Sequence, residues 1–93
     1  MNTAPWWGLR VLQRPEHGNG AWVLSDGTRT MYRNGVPYSD DGAAHFASNG
    51  TVKYYRDGLL HREDGPAVYW PSGLVEFWQG GKKLREGRLA ECA

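Results

Sequence analysis

His61, Glu63 and Asp64 are the nearest approach to an acid–base cluster in this chain. A general base must reach its substrate's proton by hydrogen bond and must titrate near working pH. Alternation along an extended segment puts His61 and Glu63 on one side of the chain. The corresponding positions of related segments hold Tyr38 and Leu84. The expectation is therefore structural: Asp64 accepts backbone bonds in a turn while Arg62 and Glu63 pair at the surface. A small enzyme stays open as an alternative, and it predicts loss of activity, with the fold kept, on changing His61 or Glu63. His17, His45, His61 and Cys92 lie in no metal-ligand spacing, and no Cys-x-x-Cys occurs. No Gly-x-x-x-x-Gly-Lys-Ser/Thr occurs either, so the glycines are read as turn residues. Ser25, Ser39, Ser48 and Ser72 flank turns, and none sits in a nucleophile elbow. No catalytic residue, metal or cofactor is expected.

Two other constellations suit binding. Arg29, Arg33, Lys53 and Arg56 interleave with Tyr32, Tyr54 and Tyr55, and Lys82, Lys83, Arg85 and Arg88 form a second basic group. Cations and rings on a sheet are how single-stranded nucleic acid is held. Acidic residues crowd the adjoining turns, however, and edge cations also guard strands against aggregation. The sequence thus weighs against nucleic acid as the partner. The acidic turns point elsewhere: Asp40-Asp41, Asp57 and Glu63-Asp64 recur along the chain and predict a carboxylate rim. Such a rim beside exposed tyrosine and tryptophan suits docking on a basic, nucleic-acid-binding protein surface, and Tyr, Trp and Arg dominate interface hot spots. The expected partner-binding residues are Tyr32, Tyr55, Trp70 and Trp78 as anchors, with Asp40, Asp41, Asp57 and Glu63 for orientation.

The elements that must position these side chains follow from composition and spacing. The 93 residues suffice for one domain, whose folded surface scales to about 5,400 Å². Eleven basic against ten acidic residues leave a net charge of +1, too little for a global field that captures nucleic acid. One cysteine makes no internal disulfide, which fits a reducing compartment. No stretch approaches the eighteen apolar residues of a membrane span, and Met1 to Arg14 lacks the apolar run of a signal peptide. A cytoplasmic protein is the expectation. Thirteen glycines and twelve aromatic residues favour turns and strands over helices.

The second residues of successive turn-like pairs fall at Gly27, Gly35, Gly42, Gly50, Gly58, Gly65, Gly73 and Gly81, at intervals of 8, 7, 8, 8, 7, 8 and 8. That is a 23-residue unit with three turns, repeated over 26–48, 49–71 and 72–93, behind a degenerate unit at 3–25 that holds Trp6-Trp7-Gly8. Asn-Gly and Asp-Gly supply the positive φ that type I′ hairpins demand. Between them lie strand-like runs such as TRTMYR, TVKYYR and LVEFWQ. The fold class expected is all-β, an antiparallel meander of about seven or eight short strands built from three 23-residue hairpin repeats. At most a single helical turn is expected, near Lys83 to Ala90.

Stacking the units aligns Met31, Tyr54 and Phe77 in one column and Tyr32, Tyr55 and Trp78 in the next. Neighbouring strand residues face opposite ways, so large aromatics are expected on both faces of the sheet, and they are expected to make up most of the core. Either the sheet rolls up on itself, or its second aromatic face meets a partner, which includes a second copy in a homodimer.

At LHREDGPAVYWPSG (60–73) the chain resembles the MORN-like repeats of small phage and proteobacterial proteins, which share a His-Arg-Glu/Asp-Asp-Gly-Pro-Ala theme and this period. His61 to Ala67 match throughout. Unit one departs with Tyr38-Ser39-Asp40-Asp41-Gly42-Ala43-Ala44, and unit three departs further at Leu84 to Leu89. The resemblance implies a β-hairpin scaffold without a catalytic signature. It also implies a phage or mobile-element accessory protein, and the expectation drawn from it is steric inhibition of a host defence complex, such as a CRISPR effector, in the manner of an anti-CRISPR. A self-associating structural homodimer and a sheet that binds single-stranded nucleic acid are the alternatives.

Overall fold

Two kinds of glycine turn alternate along the chain and set its architecture. At Asn34-Gly35, Asp57-Gly58 and Gly80-Gly81 both residues have positive φ, between 53° and 82°, as a two-residue type I′ turn requires. At 24–28, 47–51 and 70–74 the turn is wider, and only its glycine has positive φ. There Gly27, Gly50 and Gly73 donate to Leu24, Ala47 and Trp70, each at 3.0 Å. Asp26, Asn49 and Ser72 brace these turns by accepting a bond from the backbone N–H two residues on. Asp26-Gly27 and Asn49-Gly50 are thus not the type I′ pairs that their sequence suggests: a side-chain oxygen takes the N–H, and the residue before glycine stays at negative φ.

The computed structural model describes residues 10–89. Over them run ten strands: β1 (Val11–Gln13), β2 (Gly20–Leu24), β3 (Arg29–Arg33), β4 (Val36–Pro37), β5 (Ala43–Phe46), β6 (Val52–Arg56), β7 (Leu59–Leu60), β8 (Val68–Tyr69), β9 (Leu74–Gln79) and β10 (Lys82–Arg88). All pair antiparallel in one open sheet, in the order β1-β2-β3-β5-β6-β8-β9-β10. These eight agree with the expected meander. The two further strands, β4 and β7, are two-residue pieces added to the ends of β3 and β6. β3 is paired along one side by β5 at Arg29 and Thr30, then by β4 at Tyr32 and Arg33. β6 is paired in the same way by β8 and then β7. Loops at 38–42 and 61–67 interrupt these split columns. In unit three Lys83 to Arg88 form no helical turn, and Ala90, the end of the stretch expected to hold one, lies outside the described residues. Lys83 to Arg88 belong instead to the seven-residue β10, with one register shift between Lys83 and Arg85.

Register and alternation assign the side chains to two faces. One carries Trp22, Tyr32, His45, Lys53, Tyr55, Trp70, Glu76, Trp78 and Lys83. The other carries Met31, Phe46, Tyr54, Tyr69, Val75, Phe77 and Arg85. The columns aligned in the sequence thus fall on opposite faces. The core is small and made of small residues: Ala43, Ala44, Ala67, Val68 and Val75, with Thr51 the buried polar side chain. No described aromatic is fully buried, which corrects the expectation of an aromatic core. The physical reason is the open sheet. A slab of 37 × 36 × 18 Å has no second layer over its rings, and its 6434 Å² of surface exceeds the roughly 5,400 Å² usual for a chain this size.

Candidate functional site

The interruption of the split columns creates an open concavity. Loop 38–42 leaves the sheet on one side of β6 and loop 61–64 on the other, so the two face each other across the end of that strand. Between them lies an open groove of about 460 Å³ lined by Tyr38, Asp40, Asp41, Tyr54, Tyr55, Arg56, Asp57, His61, Arg62, Glu63 and Asp64, together with Ser39 and Gly42. Tyr38 and His61 begin these loops with the same backbone bond: Tyr38 N–H donates to Met31 at 2.9 Å and His61 N–H to Tyr54 at 3.1 Å. The four carboxylates expected to orient a partner, Asp40, Asp41, Asp57 and Glu63, all line this groove.

Five carboxylates against two guanidiniums give the lining a formal charge of −3 with His61 neutral. Both guanidiniums are already engaged. Arg56 contacts Glu63 at 2.9 Å. Arg62 lies 4.0 Å from the Tyr54 ring centre and donates to the Pro66 carbonyl and the Tyr69 hydroxyl. Arg62 reaches Asp64 only at 3.7 Å, so the expected Arg62–Glu63 pair is replaced by a ring stack and an Arg56–Glu63 pair. Asp41 accepts from Ser39 Oγ at 2.6 Å and from Ala43 N–H at 3.0 Å. Those two bonds hold its carboxyl below the ordinary value. Asp40 accepts a long 3.4 Å bond from the Tyr38 hydroxyl. Asp40 and Asp57 have no ion pair among the described residues.

The acid–base cluster is brought together and then tied down. Gly80 N–H donates to His61 Nδ1 at 2.9 Å, so the ring proton sits on Nε2, 3.4 Å from Glu63. Both imidazole nitrogens are occupied and Glu63 is shared with Arg56, so neither side chain presents a free base to a substrate. Among the described residues no group of three or more His, Cys, Asp or Glu is arranged to hold a metal ion.

The four expected anchors share one face but not one role. Tyr55 also lines the groove, and burial, with Tyr32 close by, raises its phenol above the ordinary value. Trp70 and Trp78 lie farther across the sheet, and both indoles donate to the Glu76 carboxylate, at 2.9 and 2.8 Å. Burial favours protonated Glu76, but the two indole bonds and the charges of Lys83 and Lys53 together outweigh it, so the group titrates below its ordinary value. Glu76 was not singled out in the sequence. Its signal is a lone carboxylate in a half-buried strand, directly before Phe77 and Trp78.

Most strand cations also have internal partners. Arg29 lies over Phe46, Arg33 over Tyr38, Lys53 over Trp70 and Arg85 over Phe77, at 5.2, 4.9, 5.5 and 3.8 Å from the ring centres. The Arg85–Phe77 stack repeats the Arg62–Tyr54 stack 23 residues on. These cations cover ring faces on which bases would have to stack.

Trp6, Trp7 and Cys92 lie outside the described residues. Among the described residues no helix is long and apolar enough to cross a membrane. No protein-family profile, curated protein or solved structure matches this chain.

Proposed function

We propose that this chain is a non-enzymatic protein-binding module that docks the groove between loops 38–42 and 61–64 onto a basic protein surface. The observation that carries this reading is the excess of carboxylates in the groove, where both lining guanidiniums are spent on internal contacts while Asp40 and Asp57 have no ion pair among the described residues. In a chain of net charge +1 this is a local field, and local complementarity steers encounter and sets register. Tyr55 lines the same groove and supplies the aromatic contact beside the carboxylates. Tyr32, Trp70 and Trp78 continue its face across the sheet.

The resemblance to MORN-like repeat proteins supports a phage or mobile-element setting. There the module would occlude a nucleic-acid-binding surface of a host defence complex, such as a CRISPR effector, by steric block. The cation-capped rings speak against the alternative of a sheet that stacks single-stranded nucleic acid. The open aromatic face favours self-association as the second reading.

The test is affinity capture from nuclease-treated bacterial lysate, read by mass spectrometry. The proposal expects one stoichiometric protein complex, lost with Asp40→Asn/Asp57→Asn/Glu63→Gln and reduced with Tyr55→Ala. Capture that the triple variant leaves unchanged overturns the groove assignment. An empty bait that migrates as a dimer moves the reading to self-association.

A further inference from the structure

We propose that the outer edge of β10 captures an extended acidic segment of a partner protein by antiparallel strand addition. The split columns show why this edge is open. β4 and β5 lie between β3 and β6, and β7 and β8 lie between β6 and β9, where Arg62 N–H donates to Trp78 and Gly81 N–H to Leu60. β10 occupies the corresponding place after β9, paired with β9 at six positions. Among the described residues it has no strand on its other side. It is also the longest strand, and no acidic loop breaks it. A seven-residue run with unpaired outward N–H and C=O groups is a ready template for an added strand.

Charge selects the occupant. β10 carries Lys82, Lys83, Arg85 and Arg88 against Glu86. Lys83 is held by Glu76 and Glu86, and Arg85 lies on Phe77. Lys82 and Arg88 have no ion pair among the described residues. They stand at the two ends of the strand, about 20 Å apart at the usual rise. Leu84, at the register shift, and Leu89, just beyond the strand, are 57% and 53% exposed. The matching segment is therefore extended and acidic opposite Lys82 and Arg88, with apolar residues opposite Leu84 and beyond Arg88 at Leu89. A second copy fits poorly: β10 against itself sets cation against cation, and β1 is flanked by Arg10 and Arg14. The same charge excess keeps the edge from self-pairing.

The experiment is a random-peptide display selection on the immobilised full chain, with the winning peptides mapped by amide NMR shifts. The proposal expects acidic peptides rich in β-branched residues, whose shifts centre on 82–88. Lys82→Glu/Arg88→Glu, two exposed positions, should weaken these peptides about five- to tenfold. Methylation of alternate peptide amides should abolish their binding. Enrichment of basic peptides alone, shifts centred elsewhere, equal affinity in the charge-reversed variant, or binding that survives amide methylation each overturns it. Dimerisation of the chain through β10 does so as well.

Discussion

Arg62→Ala is the substitution that most sharply separates a stacked arginine from a surface ion pair. The Arg62 side chain is 27% exposed, and one guanidinium nitrogen donates both to the Pro66 carbonyl at 3.2 Å and to the Tyr69 hydroxyl at 2.9 Å. Discounted for partial exposure, these bonds contribute about 1 kcal/mol each. The contact with the Tyr54 ring, 4.0 Å away, adds about 1 kcal/mol more. A loss of about 3 kcal/mol is a large share of the roughly 5–14 kcal/mol expected for a domain this size, and it lowers Tm by roughly 12–24 °C. Glu63→Ala removes a pair whose side chains are 62% and 67% exposed, which is worth about 0–1 kcal/mol. Urea and thermal unfolding, followed by circular dichroism, measure both. A double-mutant cycle with Tyr54→Leu should return a coupling of about 1 kcal/mol, and one with Glu63→Ala a coupling near zero. If Arg62→Ala costs no more than Glu63→Ala, or if the two couplings are reversed, the assignment of Arg62 as the brace of loop 61–64 is wrong.

Three further outcomes follow from the geometry. Gly18→Ala and Gly50→Ala each force alanine to positive φ, at about 1–2 kcal/mol. A Cβ at Gly18 would also lie 2.7 Å from the Gly35 backbone nitrogen, whereas one at Gly50 meets nothing, so urea midpoints should show Gly18→Ala as clearly the worse. Glu76→Gln offers its one amide oxygen to two indole donors, leaves one donor short by about 1–3 kcal/mol, and should raise acrylamide quenching of tryptophan fluorescence. His45 lies against Thr30 Oγ1 at 2.7 Å, and burial, followed by the Lys53 charge, holds its pKa below the ordinary value. The folded chain then binds fewer protons than the unfolded one as pH falls through the ordinary histidine range. Stability should therefore drop between about pH 7.5 and about pH 5.5, and His45→Gln should flatten that part of the urea profile.

The turn positions and the two faces are legible in the sequence because both rest on local rules, although Asp26-Gly27 and Asn49-Gly50 form wider turns than their residue types suggest. Asn34-Gly35 and Asp57-Gly58 announce positive φ by residue type, and the period of two carries Tyr32, Tyr55 and Trp78 to one face and Met31, Tyr54 and Phe77 to the other. Core depth was not legible, because the same pattern serves a closed sheet and an open one, and only closure would bury the rings. The groove was partly legible. Asp40, Asp41, Asp57 and Glu63 read as acidic turns from sequence, but their convergence depends on β6 running between two loops 23 residues apart. The partners of Arg62 were missed because stacking on Tyr54 and Tyr69 requires the strand pairing of β6 with β8, which no short motif encodes. Lys83 to Ala90 read as at most a single helical turn, and over Lys83 to Arg88 strand pairing with β9 overrode that preference.

The most direct test of the account compares wild-type and Asp40→Asn/Asp57→Asn/Glu63→Gln proteins as baits side by side in nuclease-treated bacterial lysate, at low and high salt. The account predicts one protein complex on the wild-type bait, weakened by salt and absent from the triple variant, while both baits give the same circular dichroism and Tm. The same complex retained on the folded triple variant, at either salt, would contradict it.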